Sequence, residues 1–111
     1  MNRALGTFDE SYSQVYDLIY RDKPYSQESD FIVNRLKAHS PGIRSVLELG
    51  VGTGRHAEFL ARHFDLSGID LSEAMIQQAI RRLSFLPNPK ERFFAGDACS
   101  LRLDRNFDSV V

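Results

Sequence analysis

Apolar side chains recur at three- and four-residue steps over Tyr12, Val15, Tyr16, Ile19 and Tyr20, which lines one face of a short helix. The polar stretch Arg21 to Tyr25, with Pro24 inside it, breaks that helix. A second helix is predicted from about Ser26, with Phe31, Ile32, Leu36 and Val33 turned inward, and it stops before Ser40-Pro41-Gly42. The pattern then changes period. Ser45-Val46-Leu47-Glu48-Leu49 is a short, mostly apolar run ending in glycines, as a buried parallel strand does. Ala57, Leu60 and Phe64 share one face of a helix predicted over Arg55 to Phe64, and Leu66 to Asp70 reads as the next strand. Ser72 is placed to cap a further helix whose Ile76, Ala79, Ile80 and Leu83 fall on one face. Pro87-Asn88-Pro89 ends it; Arg92 to Ala95 and Phe107 to Val111 read as third and fourth strands.

Strands alternating with helices predict an α/β fold with a parallel sheet and right-handed crossovers. At 111 residues, one small domain is expected. Hydrophobic content of 42% and charged content of 26% are ordinary for a globular chain, and a net charge of -1 gives no reason to expect nucleic acid or an anionic membrane. No apolar run reaches the roughly 20 residues of a membrane helix, the first nine residues hold no signal-peptide core, and the lone Cys99 has no intramolecular disulfide partner. A cytoplasmic location is the expectation.

The candidate chemistry centres on Gly50, Gly52 and Gly54, which turn the first strand into a helix and let a ligand lie against bare backbone at the carboxyl end of the sheet. A tight turn without ligand is the plain alternative, but three alternate glycines exceed what a turn requires. Gly52-x-Gly54-x-x-Ala57 also fits a dinucleotide fingerprint. Glu48 argues against that, because a carboxylate beside the loop disfavours a pyrophosphate and favours a cation. No lysine stands in the loop, which excludes a Walker phosphate loop. Asp70 ends the second strand, where a carboxylate can receive a ribose diol, and Asp97 can accept from an exocyclic amine or simply make a turn after Gly96. His39 and His63 sit near helix ends, where dipole contacts explain them, and His56 falls in a first helical turn, where packing or solvent contact is commoner than base chemistry. No metal site is read.

Together, Val46 to Gly54, Gly68-Ile69-Asp70-Leu71-Ser72-x-x-Met75, Gly96-Asp97-Ala98 and Phe107 to Val111 resemble, in order and spacing, the first four motifs of class I S-adenosylmethionine-dependent methyltransferases. The resemblance covers essentially residues 12 to 111. It implies a Rossmann-like fold, here truncated after the fourth parallel strand and preceded by two helices: a single partial domain with helices over 1–44 and a cofactor-binding half over 45–111. It implies S-adenosyl-L-methionine as cofactor, with Glu48, Gly50, Gly52 and Gly54 along its methionine part, Asp70 at the ribose, Leu71 and Met75 flanking the adenine, and Asp97 with Ala98 completing the adenine site. Val15 to Tyr20, Tyr25, Glu28 and Gly54-x-His56 are also similar to N-methyltransferases of nucleotide-linked amino sugars. That likeness implies Tyr16 and Tyr20 closing over the methionine end and an amino sugar nucleotide as methyl acceptor. Their four-residue spacing equally serves packing on the sheet.

The family's later strands, with the loop that bears acceptor and catalytic residues, have no counterpart here, so no catalytic base is identified. Unpaired backbone on the fourth strand predicts a sticky edge open to self-association. Two alternatives to methyl transfer stay open: an inactive truncated remnant that binds cofactor or a partner chain, and a nicotinamide-dinucleotide-binding oxidoreductase fragment.

Overall fold

A computed structural model describes Ser11, Gln14 and residues 24–99 and 105–111. The helix expected over Tyr12 to Tyr20, and with it Tyr16 and Tyr20, lies outside the described residues. In chain order the elements are α1 (Tyr25–His39), β1 (Ser45–Leu49), α2 (Arg55–Leu60), β2 (Asp65–Asp70), α3 (Glu73–Arg82), α4 (Pro89–Arg92), β3 (Phe93–Ala95) and β4 (Ser109–Val110). The four strands form one parallel sheet in the order β3-β2-β1-β4.

The crossovers β1-α2-β2 and β2-α3-β3 step the same way across the sheet, and β4 joins on the other side of β1. The order therefore reverses at β1, and the crevice beyond the carboxyl ends of β1 and β4 is the place where open α/β sheets take ligands. Register brings Glu48 opposite Gly68 and Leu49 opposite Ile69, so the glycine loop leaves β1 beside the end of β2. Val46, Leu60, Leu66, Ile76, Leu83 and Phe93, each 1% exposed or less, make the centre of the core. Gly68 is needed inside β2 because a Cβ there would stand 2.7 Å from the Val51 side chain.

Several details differ from the sequence reading. In α1, Tyr25, Ser29 and Val33 are buried with Ile32 and Leu36 partly so, whereas Phe31 is 64% exposed. Phe31 stands about 240° around the helix from Tyr25, off the buried stripe, and Arg35 covers its ring at 5.7 Å. Helix α2 ends at Leu60 rather than Phe64. The bonds from Arg62 N–H to the Phe59 carbonyl and from His63 N–H to the Leu60 carbonyl tighten the chain, and Phe64 still reaches the core. Helix α4 was not foreseen, because two prolines read as a break. Asn88 adopts φ 54° and Pro89 takes the first helical position, where its missing N–H costs nothing. Arg92 closes α4 instead of opening β3, and its guanidinium pairs with Asp65 and donates to the carbonyls of Leu66 and Pro87.

Strand β4 is shorter than expected and is held by a side chain before it. The Asp108 carboxylate accepts from the N–H groups of Arg44 (2.8 Å) and Ser45 (3.0 Å), which holds its carboxyl below the usual carboxylate range. A depressed value means that this clamp is present above the usual range and is lost as the pH falls through the depressed one. Asp108→Ala is expected to speed hydrogen exchange at the amides of Leu49 and Val111, which pair β1 with the chain after β4. Unchanged protection there would show that the strands pair without the clamp.

Candidate functional site at the glycine loop

The three loop glycines all have positive φ, at 71°, 59° and 87°, yet they serve different ends. A Cβ on Gly50 or Gly52 would meet nothing within 4 Å, so their open side is free for a ligand. A Cβ on Gly54 would stand 2.7 Å from Leu83 Cδ1 and 3.4 Å from the Cα of Ala79, so Gly54 lets the loop lie against α3. From the other side, Arg82 Nε donates to the Thr53 carbonyl at 3.0 Å, and the Ile69 carbonyl accepts from the N–H groups of Gly50 and Val51. These bonds hold the loop from within the chain itself.

Glu48 ends β1 beneath this loop and is 8% exposed. Burial, with the nearby Asp70 charge adding to it, pushes its carboxyl up to about 8. Its Oε1 atom is buried without a hydrogen-bond partner among the described residues. A carboxyl of that kind is costly unless something cationic or hydrogen-bonding meets it. Asp70, at the end of β2, by contrast has a partner on each oxygen. Its Oδ2 accepts from Gly52 N–H at 2.9 Å and its Oδ1 from Ser72 N–H at 3.0 Å. Each oxygen keeps a second lone pair for a ligand. Ser72 Oγ caps α3 by accepting from Met75 N–H at 3.2 Å, which fixes the direction in which Asp70 leaves the strand.

Two small cavities meet at Gly50. One, of about 260 Å³, is lined by Gly50, Ile69, Asp70, Leu71, Gly96, Asp97 and Ala98. The other, of about 130 Å³, is lined by Tyr25, Gly50, Val51, Gly52, Thr53, Arg55 and His56. The structure thus brings together most of the residues singled out in the sequence. Leu71 is an apolar side chain 70% exposed at the rim. Asp97 commits Oδ1 to the Cys99 N–H at 2.9 Å and keeps Oδ2. Met75 is not brought to either cavity; it is 2% exposed.

Arg55 is a site residue that the sequence reading passed over. A cation in the first turn of a helix opposes the helix dipole, and that mismatch was the available signal. Its guanidinium lies over the Tyr25 ring at 5.8 Å, tying α2 to α1. His56 Nε2 meets Glu28 Oε1 at 2.8 Å, and the Tyr25 ring stands edge-on to the imidazole with centroids 4.8 Å apart. Tyr25, Glu28 and His56 therefore converge although 31 positions separate the first from the last. Among the described residues no cluster of His, Cys, Asp or Glu could hold a metal ion, and no helix is long and apolar enough to cross a membrane.

A parallel sheet with its switch point at β1, a preformed glycine loop and two carboxylates beneath it define a cofactor-binding α/β domain. The methyltransferase-domain profile matches residues 46–111, and the chain belongs to that family. An N,N-dimethyltransferase of dTDP-3-amino-3,4,6-trideoxy-α-D-glucopyranose from Streptomyces venezuelae is 35% identical over 107 residues, covering 94% of this chain and 43% of the relative. The corresponding enzyme for dTDP-4-amino-2,3,4,6-tetradeoxy-D-glucose from Saccharopolyspora spinosa is 30% identical, covering 100% of this chain and 47% of its own length. The solved structure of an amino pentose methyltransferase from Micromonospora echinaspora with S-adenosylmethionine bound is 33% identical. It aligns with a TM-score of 0.76 and covers 86% of this chain and 40% of that one. The chain spans less than half the length of these relatives.

Proposed function

We propose that residues 45–111 bind S-adenosylmethionine, as the cofactor-binding half of an enzyme that methylates the amine of a nucleotide-linked amino sugar. The observation that carries the reading is Glu48: a buried carboxyl with an unpartnered oxygen beneath an open glycine loop, which a cationic ligand would hold in its ionised form and a pyrophosphate would not. The residues fit the cofactor in two parts, as the two cavities do. Gly50 and Gly52 border the methionine end, with Glu48 buried at the end of β1 just before them and Gly54 setting the loop. Asp70 offers its remaining lone pairs to the ribose diol, and Leu71, Asp97 and Ala98 take the adenine. Bound, S-adenosylmethionine supplies an electrophilic methyl carbon. The chain's part is to hold that carbon in line with a nucleophile and to keep the loop rigid, which is where most of the rate in such a transfer arises. The names of the relatives support the amino sugar acceptor.

Calorimetry with S-adenosylhomocysteine tests the site. Asp70→Ala removes a charged acceptor shared by the loop and the ligand and is expected to weaken binding by about 2 kcal/mol, or about 30-fold. Absence of binding at millimolar ligand, or equal affinity in the variant, overturns the reading.

A further inference from the structure

Beside the glycine loop lies a cleft of about 480 Å³ between the start of α1 and the first turn of α2, bordered by Pro24, Gln27, Glu28, Phe31, Ile32 and His56. His56 borders this cleft and the methionine-end cavity alike, so the two spaces adjoin through one imidazole. One wall is apolar: Pro24, Ile32 and the 64% exposed Phe31, which no core packing explains. The polar edge is the Glu28–His56 pair, with side chains 41% and 25% exposed.

We propose that this cleft is the acceptor's sugar subsite, and that His56, oriented by Glu28, takes the proton that the acceptor amine must lose. The proposal deepens the methyl-transfer reading and rests on it. Deoxygenated carbons of the kind named in the acceptors of the relatives suit the apolar wall, and the acidic edge draws an ammonium group. With Nε2–H donating to Glu28 Oε1, the tautomer is set and Nδ1 is the ring nitrogen that accepts. The ammonium gives one proton to Nδ1, and the freed nitrogen lone pair bonds to the donated methyl carbon. The carbon–sulfur electron pair stays on sulfur, and Glu28 balances the imidazolium. Tyr25 braces the ring from its edge. Among the described residues, Arg55 lines the methionine-end cavity together with His56, and it is common to parent and variants.

The test uses the intact protein with S-adenosylmethionine and dTDP-3-amino-3,4,6-trideoxy-α-D-glucopyranose. His56→Gln is expected to lower kcat about 100-fold near pH 7, far more than the severalfold at most by which S-adenosylhomocysteine affinity changes through the loss of a ring that also borders the methionine-end cavity. Above about pH 9, where solvent deprotonates the amine, the deficit is expected to shrink below about tenfold. Glu28→Gln, which keeps the ring, is expected to show the same pattern with a smaller loss. Phe31→Ala is expected to raise KM for the sugar severalfold with kcat retained. A kcat loss in His56→Gln that is absent, or equal at both pH values, overturns the base role; an unchanged KM in Phe31→Ala overturns the subsite. Failure of the parent to bind S-adenosylhomocysteine overturns the cofactor reading instead, and this proposal with it.

Discussion

Gly54→Ala is expected to destabilise the protein by about 2 to 4 kcal/mol, while Gly52→Ala costs about 1 kcal/mol. The two positions share a left-handed backbone, at φ 87° and 59°, and both variants carry its penalty for an L side chain. Only the Gly54 methyl collides with neighbours. Leu83 Cδ1 would lie at 2.7 Å and the Ala79 backbone at 3.4 Å, and Leu83 and Ala79 are fully buried, so neither can move into free space. The ranking reverses for the ligand. A methyl on Gly52 occupies the open side of the loop and is expected to weaken S-adenosylhomocysteine binding at least tenfold, although the fold is nearly intact. Urea denaturation and calorimetry on the pair check both halves. Equal stability losses would show that Gly54 packs no more tightly than Gly52.

The second large effect is a pH dependence set by Glu48. Burial raises its carboxyl from an ordinary 4.5 to about 8. A raised value means that the folded chain holds a proton that the unfolded chain has lost between those limits. Its contribution to stability is therefore complete below pH 4.5 and disappears as the pH rises to about 8, by an amount on the order of 5 kcal/mol. Glu48→Gln keeps the shape without the titration. The ligand-free variant is expected to lose this slope and to be more stable than the parent at pH 8. A cationic ligand needs the ionised form, so S-adenosylmethionine affinity in the parent is expected to climb from pH 6 to 8, by up to about tenfold per unit. Glu48→Gln is expected to bind weakly with no such slope. A parent affinity that is flat over this range would mean that Glu48 does not meet the cation.

Gly52, Gly54 and Glu48 are legible in the residue pattern alone, and such legibility extends as far as local pattern does. The strand Ser45–Leu49, the Ser72 cap and the inward face of Ile76, Ala79 and Leu83 are local patterns, governed by the period of the backbone and by one hydroxyl, and they stand where periodicity puts them. Phe31 and α4 do not. Which face of α1 is buried depends on how that helix meets α2, and the turn at Pro89 depends on Arg92 reaching Asp65 and Leu66 on β2; neither contact is local.

The site divides along the same line. By itself the sequence determined a glycine loop flanked by two carboxylates, because backbone without side chains and acid groups at strand ends are legible in residue types and spacing. Only the tertiary structure distinguished Gly54, which packs on α3, from Gly50 and Gly52, which face open space. It alone showed that Asp70 is already holding the loop while a Glu48 oxygen is held by nothing described, and that Glu28 and His56 form a pair beside an apolar cleft. The reason is physical: residue type sets which interactions a group can make, but burial and partners over tens of residues set which of them it has left to give a ligand.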